Sequence, residues 1–322
     1  MNRNDRPQHT MKSPSLLTSL LLTTLLGLGC ASTPAPTPTT AAPKDTGLAF
    51  LWEVTDSRGG TAYLVGSVHL GKEGTLPLTP SMEAAFAKSD ALVVEVDVGK
   101  VDPAAMQRLL RGTGLLPQGQ RLTDRLEPET VMLLGSTAER LGLELRNLER
   151  LRPWLVGLTI GVMEFQRAGY QQGHGVDRAF LDRARSAQMD ILELETAESQ
   201  LRLLASTPEP LQDLMLRDQL RRERPVAEVL EMLIGAWKAG DAEGLAQMLL
   251  EGAEDPTYRP VYERIFFERN VQMAHSMEAM LAQPRTHFVV VGAGHVVGPG
   301  GIVDLLQKRG FTVRQLPRDV SR

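Results

Sequence analysis

Residues 61–71 read TAYLVGSVHLG, and residues 287–301 read HFVVVGAGHVVGPGG. Each is a β-rich apolar run that closes on Gly-x-x-His and then a glycine-containing loop. The first carries Gly66, Ser67, Val68 and His69; the second carries Gly292, Ala293, Gly294 and His295. A strand delivers its last side chains to the rim of a sheet, and glycines just beyond it let the chain turn sharply and leave room for a ligand. Two imidazoles so placed can converge on one site, to bind a divalent metal or to move protons. Of the six histidines, only His69 and His295 have Gly three residues earlier. With 29 Gly in the chain, two such hits arise by accident about one time in ten, so the word gains its weight from the strand beside it.

Working outward, LAFLWEVT and TAYLVGSV flank Asp56-Ser57-Arg58-Gly59-Gly60 and predict a β-hairpin over 48–68. PLTPSMEAAFAKSD (77–90) predicts a helix, ALVVEVDV (91–98) a largely buried strand, and Asp102-Pro103 the start of another helix. From 120 to 186 the apolar spacing is helical, with Pro153 in a first turn. MDILELET (189–196) is strand-like. Helices return over 197–283, including a pair broken at Ala239-Gly240-Asp241 and one long helix over 261–281. HFVVVG, a glycine loop, the helix GGIVDLLQKRG and the strand FTVRQL close the chain. The expected fold class is α/β (α+β): a central mixed sheet built from both chain ends, around a large helical region at about 120–285.

The N-terminus reads as targeting rather than fold. Arg3, Arg6 and Lys12 precede LLTSLLLTTLLGLGC (16–30), a run the length of a secretory apolar segment and short for a membrane span. It stops at Cys30, the single cysteine, and Leu26 to Ser32 resemble a bacterial lipobox with Gly27 and Leu28 departing from the usual residues. The expected division is a lipoprotein signal peptide over 1–30 ending at the lipidated Cys30, a Pro/Thr/Ala-rich tether over 31–46, and one domain over 47–322. The expected location is the cell envelope. The chain would be lipid-anchored at the outer membrane and face the periplasm, or be secreted if Cys30 is not lipidated. Loss of residues 1–29 removes three Lys/Arg and one Asp, so the net charge of −4 falls to −6. There is no basic stripe and few aromatics, which argues against nucleic-acid binding. A lone cysteine excludes an internal disulfide and a cysteine-based zinc site.

Several carboxylates fall on or beside strands. Glu95 and Asp97 alternate with valines in ALVVEVDV, and Glu193 and Glu195 repeat the pattern in MDILELET. A carboxylate in so apolar a strand is costly unless it is paired or binds metal; the bland alternative is a strand residue facing solvent or an arginine. Asp177 follows His174 at a helix start, where capping is the simpler role. His174, His275 and His287 lack ligand-like partners and read as structural. Ser67 in GSVHLG lacks the second glycine of a nucleophile elbow. A His/His/Glu set suits a divalent transition metal such as zinc, manganese or cobalt.

In this order, the motifs resemble the TraB/GumN family, whose animal members are the TIKI metalloproteases. GSVHLG (66–71) is similar to the first Gly-x-x-His motif, LVVEVDV to the acidic strand, and GVDRAFLDRARSAQMDILELETAESQL (175–201) to the Gly-Val-Asp helix and Leu-Glu-Thr segment. ERNVQMA (268–274) resembles an Arg-Asn helix motif, and GAGHVVGPGGIVDLLQKRGFTV (292–313) the second Gly-x-x-His unit. The resemblance implies metal-dependent proteolysis, with His69, His295 and Glu95 as metal ligands and Glu95 alternatively the general base. It implies supporting catalytic roles for Asp177, Glu195, Arg269 and Asn270, with Arg269 orienting substrate or holding an oxyanion. The implied partners are a peptide or protein substrate and, through the lipid anchor, a membrane. The rival expectation is an envelope protein that binds or sequesters a peptide or other ligand in the same cleft without turnover.

Overall fold

A computed structural model describes residues 43–320 of the chain. The expected leader, Cys30 and the tether up to residue 42 lie outside the described residues. Six strands form one sheet: β1 (Leu48–Thr55), β2 (Thr61–Ser67), β3 (Ala91–Val94), β4 (Asp190–Glu193), β5 (His287–Gly292) and β6 (Thr312–Pro317). Their order is β4-β3-β5-β2-β1-β6. β5 pairs in parallel with both β2 and β3, and β4 pairs in parallel with β3. β1 is antiparallel to both its neighbours and so runs against the rest. The C-terminal ends of β2, β3, β4 and β5 therefore share one rim, the place where open α/β sheets bind ligands.

The hairpin turn is held by Asp56, whose carboxylate accepts the backbone N–H groups of Arg58 and Gly60. β5 slots between β2 and β3 and every one of its residues is buried. A parallel strand covered on both faces has no polar face to show, which explains the unalternating HFVVVG run. The helices that cover the sheet or form the middle region are α1 (Pro80–Ala87), α2 (Pro103–Gly114), α3 (Pro128–Arg140), α4 (Pro153–Arg167), α5 (Val176–Ser186) and α6 (Ala197–Ala205). They continue as α7 (Glu209–Leu220), α8 (Val226–Lys238), α9 (Ala242–Leu249), α10 (Glu268–Leu281) and α11 (Ile302–Lys308). Proline opens α1, α2, α3 and α4, where its missing N–H costs no helical bond. Phe86 of α1 and Phe180 of α5 pack on Phe288 of β5 with ring centroids 5.3 and 4.6 Å away. A satellite core joins Leu134 of α3, Ile160 of α4 and Leu216 of α7 in the helical middle, which β4 interrupts. Among the described residues no helix is long and apolar enough to cross a membrane.

Three elements differ from the sequence expectation. The acidic strands are shorter, because side chains take over from the ladder at the rim. After the Glu195 N–H bonds the Glu95 carbonyl, the Asp97 N–H turns to the Glu193 carboxylate at 2.6 Å and Asp97 caps a turn at Val98–Lys100. The long helix over 261–281 is continuous but winds one π-helical turn at Glu263–Phe267, directly before α10. The glycine loop after β5 coils into one helical turn, Ala293–Val296.

Candidate metal centre

The rim brings together what the sequence separates. His69 lies two residues beyond β2, Glu95 one residue beyond β3, Glu195 two beyond β4, and His295 in the turn that follows β5. The Nε2 atoms of His69 and His295 both stand 3.9 Å from the same oxygen, Glu95 Oε1. Each ring is fixed through its other nitrogen. His69 Nδ1 lies 3.3 Å from Asp177 Oδ1, and Ser67 Oγ lies 3.4 Å from both atoms. His295 Nδ1 lies 2.6 Å from Asn270 Oδ1. Asn270 Nδ2 donates to the Gly300 carbonyl at 2.9 Å, which turns its oxygen toward the histidine. An acceptor at each Nδ1 selects the Nδ1–H form and leaves Nε2 to face the shared point, the arrangement that orients metal-ligating histidines.

The carboxylates are clamped as firmly. Glu95 Oε1 accepts the Gly292 N–H, and Oε2 accepts from Arg269 at 3.2 Å and Gln200 at 3.3 Å. Glu195 forms a two-point pair with Arg269, both contacts at 2.7 Å, and accepts from Gln200 at 2.8 Å. Arg269 Nη1 donates to the Ile265 carbonyl at 2.9 Å. That carbonyl belongs to the π-helical turn, whose broken bonding pattern releases acceptors of this kind. The three guanidinium nitrogens of Arg269 thus all reach protein acceptors, Glu95 and Glu195 among them.

The two imidazoles are poised differently. Burial disfavours a charged His69, but the Asp177 charge and hydrogen bond, with Glu95, outweigh it and push the pKa up to about 9. Burial and the Arg269 charge lower His295 to about 3 against the pull of Glu95, so it stays neutral. For Glu95, burial opposes ionisation, yet the surrounding positive charge, with the protonated His69 and Arg269, holds it below its ordinary value. An anion flanked by one neutral and one protonated imidazole is a site whose proton an ion can replace.

The donor set fits a divalent transition ion in kind: two Nε2 atoms and a carboxylate oxygen. Gly292 leaves the space. A Cβ there would lie 2.8 Å from His69 Nε2 and 3.2 Å from Glu95 Oε1, so any side chain would fill the gap between the donors. The donors stand slightly apart: ligands of a four-coordinate zinc at about 2.0–2.1 Å are about 3.4 Å from one another, against the 3.9 Å seen here. Accordingly, among the described residues no group of three or more His, Cys, Asp or Glu is gathered at metal-binding spacing. Bringing each Nε2 to that spacing from the carboxylate takes about half an ångström, within reach of side-chain rotation.

A model of the TraB/PrgY/gumN family matches residues 50–315, which contain every residue of this rim. The chain belongs to the TraB/PrgY/gumN family. It is 24% identical to the protein YbaP of Escherichia coli (strain K12), named as uncharacterized, over 76% of this chain and 87% of that one. It is 22% identical to an uncharacterized protein of Treponema pallidum over 81% of this chain and 80% of that one. It is also 24% identical to Metalloprotease TIKI1 of Danio rerio, over 83% of this chain and 63% of that one. No solved structure matches it.

Within this family member, Asp177 is not the helix cap that its position suggests: Gly175 occupies the cap, and the Asp177 carboxylate turns to His69. A cavity of about 240 Å³ opens beside His69, Glu95 and Asp177, bordered by Val98, Gly173 and Arg178. His275 sits exposed beside Glu278, and His287 is buried at the far end of β5. Three contributors escape sequence reasoning. Gln200 bridges both glutamates from α6, Trp237 of α8 donates to the Gly66 carbonyl at 2.6 Å, and the Phe266 ring lies 5.4 Å from that of His295. Only Gln200 carried a signal, since it stands one helical turn past the Leu-Glu-Thr segment and so returns toward the strand end.

Proposed function

We propose that this chain is a metal-dependent peptide hydrolase of the bacterial cell envelope, tethered as a lipoprotein through Cys30. The observation that carries the reading is the convergence of His69 and His295 on Glu95 Oε1, each with its Nδ1 anchored. The similarity to a protein named as a metalloprotease supports hydrolysis of peptides. His69, His295 and Glu95 would hold a zinc, manganese or cobalt ion. Such an ion supplies Lewis-acid polarisation of a carbonyl and a lowered pKa for water. Glu95 acts better as ligand than as base, because its neighbours keep it ionised. Asp177 and Asn270 orient the imidazoles, and Arg269 with Glu195 fixes the Glu95 carboxylate. Asp177 also lines the cavity. The tether would place the domain at the outer membrane facing the periplasm, or outside the cell if Cys30 is unmodified.

The test is elemental analysis of the chain from Lys44 onward, purified without chelator, beside the His69→Ala/His295→Ala double variant. Near-stoichiometric transition metal that disappears in the variant is expected. Absence of metal from both, even after addition of Zn²⁺, Mn²⁺ or Co²⁺, overturns metal dependence. A second reading, a cleft that binds and sequesters peptide without turnover, is favoured by one feature: both Glu95 oxygens already have protein partners. Recovery of intact peptide from a tight, metal-free complex would select it. For the anchor, Cys30→Ser is expected to move the protein from the membrane to the soluble fraction; unchanged fractionation would overturn lipidation.

A further inference from the structure

A second and larger hollow, about 650 Å³, lies on the same rim as the candidate centre. Val96 lines it and the 240 Å³ cavity alike, so the segment that leaves β3 with Glu95 is the wall between the two. Its lip is charged and polar, and its floor is apolar, with Val96, Val101, Met106, Leu109, Gly112 and Ala197. Much of that surface is the inner stripe of α2. The stripe is unusual in remaining half open, since Met106 and Leu109 are only partly buried and Gly114 is the single buried residue of the helix. A helix with one apolar face gains little by leaving that face partly in water, unless something else covers it. The charges at the lip cancel in pairs. Lys100 lies 3.6 Å from Glu193, Arg202 pairs with Glu198 at 2.6 Å, and Arg108 stands 3.9 Å from Asp102. The remaining lining charge, Asp97, is paired with Arg185, so the lip offers no unpaired charge to select an acidic or basic ligand, and the floor offers apolar contact. The volume falls in the range that holds a small ligand or a few residues of chain.

We propose that this hollow is the subsite that takes apolar side chains of an extended peptide whose neighbouring bond lies at His69 and Glu95. The inference rests on the peptide reading of the centre, but it concerns where the chain is gripped, not how it is cut. Continuity through Val96 makes one channel of the two spaces: a small, polar one for the reacting bond and a larger, apolar one for recognition. Gly112 provides a clean probe. A Cβ there meets nothing within 4 Å, and the residue has no left-handed backbone requirement, so a large side chain can enter the hollow without disturbing the fold. Replacing a mid-helix glycine also favours the helix.

The experiment is fluorescence anisotropy with two labelled octapeptides, one of Leu, Ala and Ser and one with Asp in place of each Leu. The proteins are wild type, Gly112→Trp and Met106→Asp. The Leu peptide is expected to bind wild type at least tenfold more tightly than the Asp peptide. Gly112→Trp and Met106→Asp are each expected to weaken it at least tenfold, with melting temperatures no lower than wild type for Gly112→Trp. Metal uptake by Gly112→Trp and Met106→Asp should match wild type, which separates failure of this subsite from failure of the metal reading. Equal affinity for the two peptides, unaltered binding by Gly112→Trp, or no binding to wild type would overturn the proposal.

Discussion

Gly292→Ala tests the centre at its tightest point. The backbone there, φ −54° and ψ 138°, is open to any L residue, so the substitution adds no conformational strain. What it adds is a methyl 2.8 Å from His69 Nε2 and 3.2 Å from Glu95 Oε1. Both separations are below ordinary contact, and the methyl covers the lone pair that would coordinate. Two opposite terms set the stability change. Overpacking costs about 1–3 kcal/mol, and the stiffer unfolded chain returns about 0.4–1 kcal/mol. The fold is therefore expected to survive with a modest loss. Metal affinity is expected to fall further than the 10–100-fold typical of removing an outer partner, because a donor itself is blocked: at least ~100-fold, or ~2.7 kcal/mol. The assay is competition against a chromophoric chelator for Zn²⁺, Mn²⁺ and Co²⁺, with circular dichroism melts in parallel. Gly173→Ala is the control, since Gly173 borders the same cavity and a Cβ there meets nothing within 4 Å. Wild-type affinity in a folded Gly292→Ala protein would refute the assignment of the gap between His69, His295 and Glu95 as the ion's seat.

Removing the outer partners should be milder: Asp177→Asn and Asn270→Ala are each expected to weaken metal binding by about 10–100-fold, read by the same competition titration, and unchanged affinity in both would argue that the Nδ1 contacts are incidental. Metal binding should depend on pH through His69, which is held protonated up to about 9. Below that value an ion must displace one proton, so affinity is expected to rise about tenfold per pH unit from 6 to 8; a flat profile would mean that His69 is not a ligand. Trp237→Phe leaves the Gly66 carbonyl without its indole donor, and a loss of about 1–3 kcal/mol is expected in urea unfolding; no loss would show that water replaces the indole there.

The sheet was legible because its strands announce themselves twice over. β5 is a continuous valine run ended by glycine, and the β1–β2 hairpin is marked by a turn-rich spacer between apolar runs. Pro103 and Pro153 marked the starts of α2 and α4. Strand ends were less legible, because ALVVEVDV has the same pattern inside the ladder and beyond it. Only the third dimension brings Glu193 to the Asp97 N–H and closes the strand. The π-helical turn before α10 was invisible because its residues, Glu263–Phe267, include no proline or glycine to mark it. At the site, the residue types with few uses elsewhere, two histidines after glycines and a glutamate among valines, stood out. Asp177 did not, since an acid at a helix start has an ordinary role to play. Trp237 acts through reach across the fold, which no local pattern encodes.

The placement of β5 ties the site to completion of the fold. β5 belongs to the last part of the chain, yet it is the strand that joins β3 to β2. Until it enters, Glu95 has no Gly292 N–H, a partner 197 residues away, and His295 has no way to approach His69. Both histidines, the glutamate and the arginine clamp come from separate elements, so no partial structure gathers the donor set. Closing such distant contacts late is entropically demanding. A metal bound only by the finished centre would then stabilise the native sheet by mass action, by about 2.7 kcal/mol at a hundredfold excess over its dissociation constant. Unfolding in urea with and without the ion should therefore shift the midpoint for wild type and leave Gly292→Ala unmoved. A shift of equal size in the variant would place the stabilising ion somewhere other than this rim.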